Sequence, residues 1–347
     1  MKRSNDMKAG MLTDVRSVEV YEIPDVRVQS NSETVIRVAY VGLCGTDLEI
    51  YHGTSNYLRK GQTSYPHSFG HEWVGTVEVP PADAGDTYLH RGSVVTGSTM
   101  IPCLTCNACR SGHRNLCSHV KEVGLYDYAG AAAERIVMPA HMLTVVDESV
   151  DAIPRPEHVL VEPLVTVLEG IAAKRPRPSD KILIMGGGTI GSLAALALRL
   201  ALRQYPVDVE VVDPLLPSYL VDLGISTVSS LSSDNFDAYD MVWECSGSVS
   251  ATESIQSTLK TGGTAVLVGV PPADTKINVS ELALKGQGLI GIRHGVDHYP
   301  VAVKFIRKHQ MELQALIDQV YVLDDVSVAF LRLEKKRNRP KVVIQIV

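Results

Sequence analysis

The chain has 347 residues, a formal net charge of −6, 45% hydrophobic residues and only 5% aromatic ones. At about 100–200 residues per domain, this allows two domains whose cores rest on Val, Leu, Ile and Ala. The acidic balance, without a long basic run, excludes broad nucleic-acid binding. The charged start MKRSNDMKAG has no apolar stretch behind it to make a secretory signal, and GSLAALALRLAL (191–202) is too short to span a bilayer and carries Arg199.

These features predict a cytoplasmic protein, where clustered cysteines are metal ligands more often than disulfides. The first half reads as short strands between turns: SVEVYEI, ETVIRVAYVG and WVGTVEV are rich in β-branched residues and bounded by Gly, Pro and Asp. Between them lies VGLCGTDLEIYHG, with Cys44, Thr46, Asp47, Glu49 and His52. PHSFGHEWVGTV follows with His67, His71 and Glu72, and VLVEPLVTVLEG later adds Glu162. A thiolate, an imidazole and a carboxylate together make a mixed, incomplete shell, as a catalytic zinc with one open position requires.

IPCLTCNACRSGHRNLC (101–117) holds Cys103, Cys106, Cys109 and Cys117 in the spacing C-x2-C-x2-C-x7-C. Four thiolates can surround one zinc at about 2.3 Å each, and such a closed shell is structural because it leaves no position for a substrate. A nucleic-acid-binding zinc knuckle would share the local basic residues Arg110, Arg114 and Lys121, but it would also need interleaved aromatics for base stacking.

After the proline-rich KRPRPSD (174–180) the texture changes. KILIMGGG reads as a buried strand, TIGSLAALALRLALRQY as a helix and VDVEVVD as a second strand. AYDMVWECSG, the helical ATESIQSTLK and the strand GGTAVLVGV continue the alternation. Such alternation implies a doubly wound parallel sheet. Gly186, Gly188 and Gly191 form G-x-G-x-x-G between strand and helix, with Thr189 and Ile190 inside it. This is the pattern that turns tightly, lets backbone approach a pyrophosphate and aims a helix N-terminus at it. Asp213 ends the next strand, and PLLPS after it offers no cation for a 2′-phosphate, so NAD is expected rather than NADP. Ser246, Val268 and Gly269 end later strands and should border the cofactor, with Cys245 as wall. The tail resumes a helix, YPVAVKFIRKHQ, and then strands, VYVL and KVVIQIV.

GxCGTDxE, GHExxGxV, the four-cysteine loop, VEPL and GGGxIG occur in this order. In this combination the chain resembles the zinc-dependent medium-chain dehydrogenases of the alcohol dehydrogenase superfamily, from about residue 8 to the end. It is most similar to their polyol branch of sorbitol, glucose and threonine dehydrogenases. The resemblance implies a GroES-like β-barrel catalytic domain (1–156), a Rossmann NAD-binding domain (157–295) and a C-terminal return to the catalytic domain (296–347). It implies catalytic-zinc ligands at Cys44 and His71, with Glu72 and Glu162 able to exchange as ligands. Asp47 would orient the ligand histidine, and Thr46 would receive the substrate proton. His52 and Glu49 are the candidates for passing that proton to solvent. IRHGVDHYP resembles the glucose-dehydrogenase segment near the nicotinamide, which brings Arg293 to the cofactor.

The implied protein carries two zinc ions per chain and interconverts a secondary alcohol with a ketone or lactone. Its substrate would be a small polyhydroxy molecule: a sugar, polyol or amino-cyclitol. Threonine or a small alcohol is the alternative substrate, and a non-catalytic dinucleotide-binding sensor is the alternative of another class. Neither a nucleic acid nor a membrane is expected as partner; a homodimer or homotetramer is.

Overall fold

A computed structural model describes residues 6–83, 89–149, 151–201 and 207–347. The first residues of the charged N-terminal stretch and the end of the predicted 189–205 helix lie outside them. The chain forms two compact units. One holds residues up to Glu162 together with Val296–Arg337 and Lys341–Val347, and the other holds Pro163–Gly295 and Asn338–Pro340.

The first unit is built on a seven-stranded sheet. Its path runs Leu143–Asp147, Val94–Gly97, Glu72–Val79, Glu33–Gly42, Lys341–Gln345 and Ile317–Val322, and Arg135–Pro139 also pairs with Glu33–Gly42. Neighbours are antiparallel except the last two strands, which run parallel. The hairpin Asp6–Asp14/Ser17–Pro24 and the short strand His67–Ser68 form a second sheet. One apolar cluster, with Phe69, Trp73 and Phe330 fully buried, packs these layers and reaches Cys117 in the cysteine loop. Lys341–Gln345 pairs with Glu33–Gly42 through Val343, Ile344 and Gln345, so the chain's last strand lies beside the strand that leads into Cys44.

The second unit is a six-stranded, all-parallel sheet. Its order is Ser226–Val228, Asp208–Val212, Lys181–Met185, Tyr239–Glu244, Leu259–Leu267, Gly288–Gly291. In chain order this is 3-2-1-4-5-6, the doubly wound arrangement in which the crevice opens between strands 1 and 4 at their carboxyl ends. Residues 182–185 and 241–244 of the two central strands are buried on both faces, as all-parallel strands covered by helices must be. Among the elements that differ from the sequence reading, one is explained by strand pairing. The helix Val249–Thr258 stops two residues short of the predicted ATESIQSTLK, and Leu259 already begins the next strand. Leu259 is fully buried and pairs with Tyr239, so tertiary pairing overrides the helical pattern of the last two residues. Among the described residues no helix is long and apolar enough to cross a membrane.

Candidate active site

Cys44 stands at the N-cap of the short helix Gly45–Tyr51, where the strand Glu33–Gly42 ends. Asp47, three residues on and fully buried, accepts a hydrogen bond from Cys44 N at 2.9 Å through Oδ2. Its other oxygen lies 3.6 Å from His71 Nδ1, and both atoms are buried without a hydrogen bond. One carboxylate therefore fixes the backbone of the thiol and faces the imidazole. That leaves the second ring nitrogen to a ligand, the outer support a metal-binding histidine needs. Burial alone would push the His71 imidazolium pKa down, but Asp47, then Cys44 and Glu162, hold it well above the ordinary value.

Glu72 opens the strand Glu72–Val79, directly after His71. Cys44, His71 and Glu72 each bring one donor atom to within 4.8 Å of the others. A thiolate, an imidazole and a carboxylate, the latter two buried, suit zinc with one position left open. Burial raises the Glu72 carboxyl, and the ammonium of Lys341, 2.5 Å from Oε2, works against that rise. Glu162 lies outside this group of three. Its Oε1 accepts from Thr99 Oγ1 at 2.8 Å, and the same hydroxyl reaches His71 O at 3.1 Å. The Thr46 hydroxyl is 4.0 Å from Cys44 Sγ. His52 Nε2 meets Glu334 Oε1 at 2.6 Å, and Glu334 also pairs with Arg16. Glu49 is exposed. His67 is committed elsewhere, to Thr63 Oγ1 and Gly124 O.

In the cysteine loop the four sulfurs also gather within 4.8 Å of one another. Cys106 Sγ and Cys117 Sγ are 3.9 Å apart. The edge of a tetrahedron with metal–sulfur bonds of about 2.3 Å is about 3.8 Å. Cys103 N and His119 N donate to Cys117 Sγ at 3.3 Å, and Cys106 N donates to Cys103 Sγ at 3.4 Å, contacts that favour thiolate sulfur. Backbone donors from Cys109 and Ser118 bring the Cys106 thiol down to about 5. All six cysteines are free of disulfides.

In the second unit the glycine motif sits between the strand Lys181–Met185 and the helix Thr189–Ala201. Gly186 has φ +100°, and a Cβ on Gly191 would stand 1.8 Å from Gly186 O, so the turn itself demands glycine at both. A Cβ on Gly188 would meet nothing within 4 Å. The middle glycine thus borders open space at a helix N-terminus, an arrangement able to take an anionic group such as a pyrophosphate. Thr189 and Ile190 are half-buried in the first turn. Asp213 accepts from Gly187 N and Leu215 N, both at 2.7 Å, and a carboxylate keeps further lone pairs for a ribose. Ser246 Oγ donates to Glu244 Oε1 at 2.5 Å. Val268 and Gly269 follow the strand Leu259–Leu267, and Arg293, exposed, follows Gly288–Gly291. Burial, then the Glu244 charge, raises the Cys245 thiol, which keeps it protonated and inert. The sequence reading missed Lys341, Thr99, Glu244 and Glu334, none of which stands in a spacing motif of its own.

Residues 30–148 match the family model of the alcohol dehydrogenase GroES-like domain, and residues 157–346 match that of the glucose dehydrogenase C-terminus. The chain is 24% identical to sorbitol dehydrogenase of Bacillus subtilis, over 96% of this chain and 95% of that one. It is 30% identical to D-altritol 5-dehydrogenase of Agrobacterium fabrum, over 71% of each. Its fold is that of the alcohol dehydrogenase from Thermus sp. ATN1, with a TM-score of 0.85 at 22% identity, covering 98% of this chain and 100% of that one. The chain belongs to the zinc-dependent medium-chain dehydrogenases of the alcohol dehydrogenase superfamily. It is an oxidoreductase acting on CH–OH groups.

Proposed function

We propose that this protein oxidises a secondary alcohol of a polyhydroxylated small molecule, a sugar, polyol or amino-cyclitol, with NAD as acceptor, or runs the reverse reaction. The observation that carries the reading is the convergence of Cys44, His71 and Glu72 donors within 4.8 Å. The similarity to a sorbitol and a D-altritol dehydrogenase supports the substrate class. When bound, zinc supplies a Lewis acid and NAD a hydride acceptor.

The chain's own residues do the rest. Cys44, His71 and either Glu72 or Glu162 hold the metal, and Asp47 keeps the imidazole turned toward it. Thr46, on the first turn beside Cys44, takes the proton of the reacting hydroxyl. From there His52 passes it outward to the Glu334–Arg16 pair, with Glu49 as the alternative exit. Gly186, Gly188, Thr189, Ile190 and Gly191 receive the pyrophosphate, and Asp213 holds the ribose hydroxyls and repels a 2′-phosphate. Ser246, Val268, Gly269 and Arg293 border the rest of the dinucleotide. Cys103, Cys106, Cys109 and Cys117 hold a second, structural zinc. Residues 1–156 and 296–347 form the catalytic domain, and residues 157–295 bind NAD. A cytoplasmic homodimer or homotetramer that binds neither nucleic acid nor membrane completes the reading; the acidic charge supports the lack of a nucleic-acid partner.

The test is steady-state turnover on a polyol and sugar panel with NAD and NADP, for wild type and Asp213→Ser. Wild type should reduce NAD on at least one polyol with the higher kcat/KM. Asp213→Ser should raise KM for NAD about 10–100-fold, the worth of a hydrogen bond to a charged acceptor, and narrow the gap to NADP. A wild type that prefers NADP, or that turns over threonine or a small alcohol and no polyol, overturns this assignment.

A further inference from the structure

Glu244 is a buried carboxylate that none of the proposed chemistry uses. It ends the strand Tyr239–Glu244, next to the strand Lys181–Met185, where the order of the parallel sheet reverses. It is 1% exposed. Among the described residues no cation pairs with it. A buried charge without a counter-ion must be satisfied by hydrogen bonds or it opposes folding. Here every donor comes from the loop that follows. Oε1 accepts from Ser246 N at 2.9 Å, from Ser246 Oγ at 2.5 Å and from Gly247 N at 3.0 Å. Oε2 lies 3.3 Å from Gly247 N.

The residue's backbone reaches the neighbouring loop as well. Its carbonyl accepts from Val268 N at 2.9 Å and from Gly269 N at 2.8 Å, at the end of the adjacent strand. The carboxylate then decides what can stand there. A Cβ on Gly269 would meet Glu244 Oε2 at 2.2 Å and Gly247 N at 2.3 Å. On the other side, a Cβ on Gly186 would meet Ser246 Cβ at 2.9 Å. The Ser246–Gly247 and Val268–Gly269 loops thus close on one side chain, and the Gly186 turn packs against Ser246 beside it.

We propose that Glu244 is a positioning residue for the dinucleotide: by gathering the donors of Ser246 and Gly247 it sets the height of that loop, and so the shape of the cradle between the first and fourth strands. The inference rests on the dinucleotide reading given above. It also fixes the polarity of Ser246. That hydroxyl spends its proton on Glu244 and accepts from Ser248 N at 3.0 Å. One lone pair remains, so toward a ligand Ser246 is an acceptor, suited to a ribose hydroxyl or a carboxamide N–H and unsuited to a phosphate oxygen.

The experiment is NADH binding by fluorescence titration, with thermal melting, zinc content and kcat at saturating NAD, for wild type, Glu244→Ala, Glu244→Gln and Gly269→Ala. Glutamine keeps the oxygen that takes most of the hydrogen bonds, so Glu244→Gln should bind within about threefold of wild type. Glu244→Ala should raise the NADH dissociation constant tenfold or more, about 1.4 kcal/mol per decade. Its zinc content should be unchanged and its kcat at saturating NAD within about threefold. Gly269→Ala, which pushes a methyl group against Oε2, should weaken NADH to a similar degree. A residue that only supported the fold would lower the melting temperature without moving the dissociation constant of the folded protein. If Glu244→Ala does not fold, Gly269→Ala carries the test. NADH affinities equal to wild type in Glu244→Ala, or in Gly269→Ala when the alanine variant is lost, overturn the inference. A wild type that binds no dinucleotide overturns the cofactor reading itself, and this inference with it.

Discussion

Lys341 Nζ lies 2.5 Å from Glu72 Oε2, and each side chain is only 1% exposed. The same ammonium donates to Leu43 O at 3.0 Å. The first residue of the last strand is thereby tied to the strand end before Cys44 and to one oxygen of a candidate metal ligand. The cluster of Cys44, Asp47, Glu72 and Glu162 is rich in negative charge, and Lys341 offsets part of it from inside the core.

Removing that cation should therefore be costly, and metal should make up part of the loss. Lys341→Met leaves the Glu72 carboxylate buried without its partner, which costs about 3–5 kcal/mol. A zinc ion at the same cluster supplies positive charge of its own. We expect the metal-free variant to melt far below wild type, and the difference between metal-free and zinc-loaded melting temperatures to be larger in the variant. Thermal unfolding with chelator and with added zinc checks this, and equal differences in the two proteins would contradict it.

Gly188 and Gly191 should fail in different ways. A Cβ on Gly191 would overlap Gly186 O at 1.8 Å, whereas one on Gly188 would meet nothing within 4 Å. Gly191→Ala should lower the melting temperature and solubility of the protein without any ligand. Gly188→Ala should melt like wild type and lose NADH affinity by tenfold or more, because its methyl group stands where the pyrophosphate would approach. Melting curves beside NADH titrations separate the two. A Gly188→Ala protein with unchanged NADH affinity would remove the motif from the cofactor site.

Acid should destabilise the first unit through His158. Its ring is buried, and Nδ1 accepts from Arg155 N at 3.2 Å, which requires the neutral ring. Burial lowers its pKa to about 4, against 6.5 for the free side chain. The folded value lies below the unfolded one, so the stability it brings is full above pH 6.5. It is lost as pH falls from there toward 4, because the unfolded chain takes up the proton first. At 1.36 kcal/mol per unit, the loss amounts to about 3 kcal/mol. His158→Gln keeps an acceptor near Arg155 N and cannot titrate. Urea unfolding of wild type and His158→Gln from pH 7 to 4.5 should give converging stabilities as pH falls, and parallel curves would argue against this origin.

The parallel sheet was legible because its central strands are apolar on both faces and alternate with helical segments, a pattern that survives without tertiary information. The candidate metal-donor residues stood out because Cys, His and Glu recur in short, chemically mixed stretches. What the sequence hid is the support around them. Lys341 pairs with Glu72 across 269 residues, His52 with Glu334 across 282, and Thr99 with Glu162 across 63. In the sequence Lys341 reads as an ordinary charged residue opening a strand. Its burial follows only from the pairing of the last strand with Glu33–Gly42. Glu244 is hidden for another reason. WECSG reads as a strand running into a turn, and nothing in it tells a buried carboxylate from a solvated one until the loop folds back.

The most direct test of the central claim compares Cys44→Ser with Cys109→Ser by kcat, melting temperature and zinc content. We expect about two zinc ions per wild-type chain, and about one in Cys44→Ser, which should keep its fold and NADH binding while kcat falls by orders of magnitude. Cys109→Ser should instead melt earlier or aggregate, losing activity only as structure is lost, because its closed thiolate shell contributes to folding. Wild-type turnover in Cys44→Ser, or normal melting of Cys109→Ser with its metal gone, would contradict the division into a catalytic and a structural site.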